Sequence, residues 1–142
     1  MRKTPLKKRS KDPVKKLQKE CDVLYQLLGK AKWPKSIISG LQTQVIHHFY
    51  PKSVSNALRY DFDNGVPLTN GEHMRHHQAG DASIHGEVIR TRGLAWYEKL
   101  TERRWKESVK TNKAYYEEIK EKLTPKFTVS QYKNRKPVVK YY

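Results

Sequence analysis

All six histidines of this 142-residue chain lie in its middle third, and this clustering restricts most strongly what the chain can fold into. His47 and His48 end a short β-prone segment. His73 and His77 are four residues apart in a segment that we predict to be a short helix, at about residues 72–78, so their rings project from one helix face. A strand and a helix that pack together can therefore bring His47, His73 and His77 to one metal ion.

The basic residues are concentrated at the two ends of the chain, which carries a net charge of +16. Residues 1–35 hold twelve Lys or Arg against three acidic residues, residues 124–142 hold five against none, and residues 43–80 are balanced. Basic flanks release counterions from a phosphate backbone, so we expect the partner to be a nucleic acid. The alternative is a pair of solvated basic ends without a dedicated partner. The candidate DNA-binding residues are Lys7, Lys8, Arg9, Lys15, Lys16, Arg59 and Arg75. For the last two, an ion pair with Asp61 or Asp63 is the alternative.

The composition also narrows the cellular setting. No stretch has the roughly 18 apolar residues that a membrane span needs, so we expect no membrane association. The basic start lacks the apolar run of a secretory signal, and the single Cys21 forms no internal disulfide. We therefore expect a cytoplasmic protein, in the host cytoplasm if a phage encodes it. We expect no small-molecule ligand.

Apolar spacing predicts a mostly helical α+β protein with a small hairpin. Helices are expected over residues 13–28, where Gly29 ends the helix, over about 86–109 with a break near Gly93, and over about 112–123. Residues 43–48 are expected to pair with 57–62. The predicted organisation is a disordered basic arm (1–11), one domain (12–123) with its hairpin and short helix at about 43–80, and a basic tail (124–142).

The segment from Val45 to His77 resembles the HNH, or ββα-metal, endonucleases. It has an adjacent His47-His48 pair, Asn64 in the turn that follows, and His73 and His77 spaced by four. This His-His…Asn…His-x-x-x-His order is especially similar to the nuclease domains of DNase colicins. The resemblance implies a ββα-metal core flanked by helices, and a metal-dependent enzyme that hydrolyses DNA phosphodiester bonds.

The resemblance also implies a role for each matching residue. His47, His73 and His77 would bind one divalent ion, which is Mg, Mn, Ni, Co or Zn; imidazole ligands favour the transition metals. His48 would be the catalytic general base, and Asn64 would brace the loop that orients it through a backbone carbonyl.

Many family members carry a structural zinc knuckle of two cysteine pairs. Here Ser36, Ser39, Thr69 and Glu72 stand at those positions, so we expect no cysteine-type structural zinc.

Several alternatives remain open. A looser resemblance, based on residues 5–10 and 58–61, links the chain to phage recombination endonucleases of the NinG (Rap) and Ref kind, and a homodimer is possible. The chain can instead be a catalytically silent DNA-binding recombination accessory protein, or a structural zinc module that needs a fourth protein ligand. His76 is expected to point away from His77, either on the surface or toward DNA. The alternative is that His76 replaces His77 as a ligand. We expect His85 to lie outside the motif, in a structural or exposed position.

Overall fold

The computed structural model describes residues 12–78 and 82–124, which contain five α-helices and one two-stranded antiparallel sheet. In chain order these are α1 (Pro13–Lys32), β1 (Val45–His48), β2 (Gly65–Leu68), α2 (Asn70–Gln78), α3 (Ser83–Arg92), α4 (Leu94–Lys106) and α5 (Lys113–Leu123). The predicted class is confirmed: the described chain is mostly helical and has a small hairpin. None of these helices combines the length and the apolar character that crossing a membrane requires. Lys7, Lys8, Arg9 and the predicted tail beyond Thr124 lie outside the described residues.

Helix α1 begins where the sequence predicts but ends later. Asp12 caps it by accepting a hydrogen bond from the Val14 backbone nitrogen at 3.0 Å, and Pro13 occupies the first turn. The expected end at Gly29 is wrong, because the helix continues to Lys32. A Cβ atom on Gly29 would lie 2.5 Å from the Ile46 side chain. The glycine therefore allows α1 to pack closely on β1 instead of ending the helix.

The partner of β1 differs from the one expected. Residues 57–62 are not a strand; they form turns and the start of a short 3-10 helix, and β1 pairs with residues 65–68 instead. Alternate residues of a strand point to the same face and would join one cluster. Leu58 and Tyr60 are both buried, but they belong to two different apolar clusters. Residues 65–68 were not predicted as a strand because they include Pro67, and proline cannot donate a ladder hydrogen bond. In a two-stranded sheet each strand has a free edge, so proline is tolerated there.

The C-terminal helices follow the prediction closely. The expected long helix is interrupted at Gly93, whose φ of +97° lies in the region that disfavours other residues. Its second part ends at Lys106, three residues earlier than expected. Helix α5 begins after Asn112, whose side chain accepts from the Tyr115 backbone nitrogen at 2.9 Å.

Two apolar clusters hold the hairpin between them. One packs the Val66 face of the sheet against α3 and α4. The other packs Ile46 of the opposite face against α1 and α5. The buried members are Phe49, Tyr50, Leu58, Val66, Leu68, Ile84, Val88 and Leu100 in the first cluster, and Cys21, Tyr25, Leu28, Ile46, Tyr60, Tyr116 and Leu123 in the second. The hairpin is thereby fixed relative to α1, α3, α4 and α5.

Candidate metal centre

Strand alternation separates the two adjacent histidines. His47 lies opposite Val66 in the sheet and His48 lies opposite Gly65, so their side chains point to opposite faces. The free edge of β1 is held by Gln26 of α1, whose amide donates to the Ile46 carbonyl and accepts from the Ile46 nitrogen, both at 2.9 Å. This pair of bonds fixes the strand immediately before the two histidines.

The predicted ligand trio comes together in the structure. His47 is only 4% exposed, and the ring centroids of His73 and His77 each lie 5.2 Å from its own. One ring nitrogen from each of the three lies within 4.8 Å of the others. The donor set therefore fits a divalent ion, and its all-imidazole chemistry favours a transition metal over magnesium.

Burial favours the neutral form of two of these imidazoles, those of His47 and His73. It lowers the pKa of His47 to about 2, with the neighbouring histidines acting in the same direction. It also lowers the pKa of His73, together with His77 and His76. A neutral imidazole has a free lone pair, which is the form that binds a metal ion. The site is therefore ready for a cation at neutral pH.

A second trio, which the sequence analysis did not anticipate, shares His47. The ligand nitrogens of His47, His76 and His85 also lie within 4.8 Å of one another. His85 Nε2 is 3.2 Å from His47 Nε2, a contact that the predicted position of His85 outside the motif did not include. The apolar spacing predicts that the third helix begins at about Gly86, whereas α3 begins at Ser83. Ile84, which is apolar and buried, directly precedes His85. Including this apolar residue in the predicted helix was the available signal that His85 lies on α3.

His48 is held by a backbone carbonyl. Its Nε2 lies 2.8 Å from the Arg59 oxygen, and its ring stacks on Tyr25 at 5.2 Å. A carbonyl oxygen only accepts, so Nε2 must carry the hydrogen, and Nδ1 of the neutral ring has a free lone pair. Burial lowers the pKa of His48, although the bond to Arg59 opposes this effect.

Asn64 braces the segment that supplies this carbonyl. Its side chain is fully buried, accepts from the Tyr50 nitrogen at 2.8 Å, and donates to the carbonyl oxygens of Tyr50 (3.1 Å) and Leu58 (3.2 Å). Leu58 directly precedes Arg59, so the amide fixes both ends of the loop that orients His48. This is the contact that the sequence analysis expected of Asn64.

One cavity of about 280 Å³ connects the first trio with His48. Its lining consists of Gln26, Val45, Ile46, His47, His48, Pro51, Lys52, His73 and His77. His76 and His85 are not part of this lining. The cavity therefore presents the predicted ligands, the predicted base and a lysine to one volume.

The Arg59 side chain has a structural partner. Its guanidinium binds both carboxylate oxygens of Asp22 at 2.8–2.9 Å, and the Tyr60 hydroxyl donates to the same carboxylate at 2.9 Å. The suggested ion pair with Asp61 or Asp63 is wrong, because Arg103 pairs with these two acids. The partner of Arg59 lies 37 residues away in the chain, on α1, so no local pattern could identify it.

The four positions equivalent to knuckle cysteines form a hydrogen-bonded cluster. The Ser36 hydroxyl donates to Glu72 at 2.6 Å, and the Thr69 nitrogen donates to the same oxygen at 2.8 Å. Thr69 Oγ1 accepts from the Glu72 nitrogen, and Ser36 Oγ accepts from the Ser39 nitrogen. Burial acts to raise the pKa of Glu72, but the hydrogen bonds from Ser36 and Thr69 outweigh it, so this pKa lies below its usual value. A charged hydrogen-bonded cluster thus joins the segment of Ser36 and Ser39 to the start of α2.

The remaining predicted cations are on the surface. Lys15 and Lys16 are exposed on α1, and Arg75 is exposed on α2. Sequence reasoning missed Arg104, whose guanidinium lies 4.9 Å from the Tyr50 ring and 4.5 Å from the ring of Trp105. Trp105 is 74% exposed, and its place within a basic stretch of α4 was the signal available.

Protein-family models, curated proteins and solved structures were each compared with this chain, and none of them matches it.

Proposed function

We propose that this protein is a metal-dependent DNA endonuclease that hydrolyses phosphodiester bonds in the manner of the HNH enzymes that its sequence resembles. The observation that carries the proposal is the shared cavity. His47, His73 and His77 line the same cavity as His48, whose Nε2 is bound to a carbonyl oxygen.

His48 acts as the general base. Because Nε2 donates to the Arg59 carbonyl, Nδ1 is free to accept a proton from a water molecule. The oxygen of that water forms a bond to phosphorus, the bond from phosphorus to the 3′ oxygen breaks, and the leaving oxygen takes a proton from solvent. The products are a 5′ phosphate and a 3′ hydroxyl.

The three ligand histidines prepare the site for charge. When bound, a divalent ion supplies positive charge that stabilises the phosphoryl oxygens in the transition state. The burial of His47 and the anchoring of α2 by the Glu72 cluster hold these imidazoles in place without substrate. Preorganised groups of this kind need little rearrangement during the reaction.

The DNA backbone is contacted by cations around this cavity. Lys52 lines the cavity itself, and no salt bridge within the described residues involves it or Arg104. Arg104 packs on Tyr50, which is two residues from Lys52, so both can engage one strand of DNA. Arg59 takes a different role: its carbonyl orients His48 while its guanidinium is bound to Asp22.

A structural metal module is the second candidate, and one observation favours it. It requires a fourth protein ligand, and His85 lies 3.2 Å from His47. An ion held by imidazoles alone would tie α2 and α3 to β1 and leave no place for a phosphate. The two candidates differ in what chelation does to the fold and in whether purified protein cuts DNA.

The decisive experiment incubates the purified protein with supercoiled plasmid and with branched DNA, together with Mg²⁺, Mn²⁺, Co²⁺, Ni²⁺ or Zn²⁺. We expect cleavage by the wild type and none by His48→Ala, while calorimetry shows nearly unchanged ion affinity for that variant. Lys113→Ala, at an exposed position of α5 paired with Glu117, is the matched control and should cleave like the wild type. A large loss of ion affinity in His48→Ala would show that His48 is a ligand instead of the base.

A further inference from the structure

Four histidine rings surround the buried ring of His47. His73 and His77 line the cavity and form the first trio with His47. His76 and His85 form the second trio with His47. The His76 and His85 rings are 4.3 Å apart, and His85 also stacks on Phe49 at 4.3 Å. His47 is the member common to both trios.

The spacing of His47 and His85 suits a pair of ligands. Two imidazole nitrogens on one tetrahedral zinc ion, each about 2.0–2.1 Å from it, are about 3.3 Å apart. The observed distance between the two Nε2 atoms is 3.2 Å, which matches this separation. The same distance is compatible with a hydrogen bond between the two rings, which an ion would replace.

A neutral imidazole has a single free lone pair, so His47 can serve only one ion at a time. The two trios are therefore alternatives and not independent sites. Their surroundings differ: the first trio faces the cavity that His48 lines, whereas His76 and His85 take no part in that lining.

We propose that His76 and His85, together with His47, form a second binding position for a divalent transition metal, filled in alternation with the His47–His73–His77 position. An ion at this second position ties α3 to β1 and is displaced from the cavity. With the ion at the second position the nuclease would be in a resting state, and this consequence rests on the proposed function. The existence of the second binding position does not depend on that function.

The test measures Co²⁺ binding to the full chain without DNA, by calorimetry and by visible absorption. The variants are His73→Gln/His77→Gln, His76→Gln/His85→Gln and His47→Gln. We expect one equivalent of Co²⁺ for the wild type and for each double variant, with different absorption spectra for the two doubles. We expect no measurable binding for His47→Gln, because both positions need that residue.

Two results would overturn the proposal. Loss of all Co²⁺ binding in a folded His73→Gln/His77→Gln variant would show that no second position exists, and two equivalents in the wild type would show that the positions are not alternatives. Circular dichroism checks folding. A double variant that has lost its helical signal is replaced by the single variants His77→Gln and His85→Gln, which must each retain one equivalent with different spectra. Failure of the nuclease proposal is detected separately, as a wild-type protein that binds Co²⁺ but does not cut DNA.

Discussion

Replacing Asn64 by aspartate tests the brace behind His48 with almost no change in shape. The substitution removes the two N–H bonds to the carbonyl oxygens of Tyr50 and Leu58, and it places a carboxylate against them in a fully buried position. An unsatisfied buried acceptor costs about 1–3 kcal/mol, so two of them should lower the free energy of unfolding by roughly 2–6 kcal/mol at pH 7. A domain of this size has about 5–15 kcal/mol in total, so the loss is a large part of the stability, and circular dichroism must first establish that the variant is folded.

The effect should also depend on pH. A buried carboxyl that faces carbonyl oxygens has a raised pKa in the folded state, because protonation restores one donor. The folded variant then binds more protons than its unfolded chain, so its deficit relative to the wild type should shrink as the pH falls toward 4. Urea denaturation of both proteins at pH 4, 5.5 and 7 measures this difference directly.

Asn56 provides a matched control for this substitution. Its side chain makes a similar pair of bonds to the backbone of Val109, at 2.8 and 3.3 Å, but it is only partly buried; although Asn56 lies in the same loop, its side chain bonds to Val109 and not to the carbonyl oxygens of Tyr50 and Leu58. Asn56→Asp should therefore cost less than Asn64→Asp and leave cleavage unaffected. If both substitutions cost the same, or if Asn64→Asp costs under about 1 kcal/mol, the brace is not what holds this loop.

Three further outcomes are expected. Glu72→Gln should lower the free energy of unfolding by about 1–3 kcal/mol at pH 7. The folded pKa of Glu72 lies below the ordinary 4.5, so this contribution is present above pH 4.5 and is lost as the pH falls through the folded pKa. Urea denaturation at several pH values measures this loss. Glu117→Gln, at an exposed position of α5, is the control and should change the free energy of unfolding little at any pH. Lys52→Ala should reduce the slope of log DNA affinity against log salt by about 0.9, whereas an equal reduction in Lys113→Ala would place the contact elsewhere. EDTA should abolish cleavage but leave the far-ultraviolet helical signal largely intact, since apolar clusters hold α1, α3, α4 and α5. Collapse of that signal would favour the structural metal module.

The sequence alone determined the parts of the site that follow from local periodicity. A spacing of four places His73 and His77 on one helix face, and the alternation of a strand separates His47 from His48. These relations depend on neighbours within a few residues, so the backbone conformation is enough to produce them.

The tertiary structure decided which distant segments meet. Only the packing of α1 on the loop brings Asp22 to the Arg59 guanidinium, and only the placement of α3 against β1 brings His85 to His47. The choice of residues 65–68 as the strand partner of β1 is of the same kind, because it depends on which side chains the two apolar clusters can bury. Such pairings result from the joint burial of residues far apart in the chain, and no local pattern encodes them.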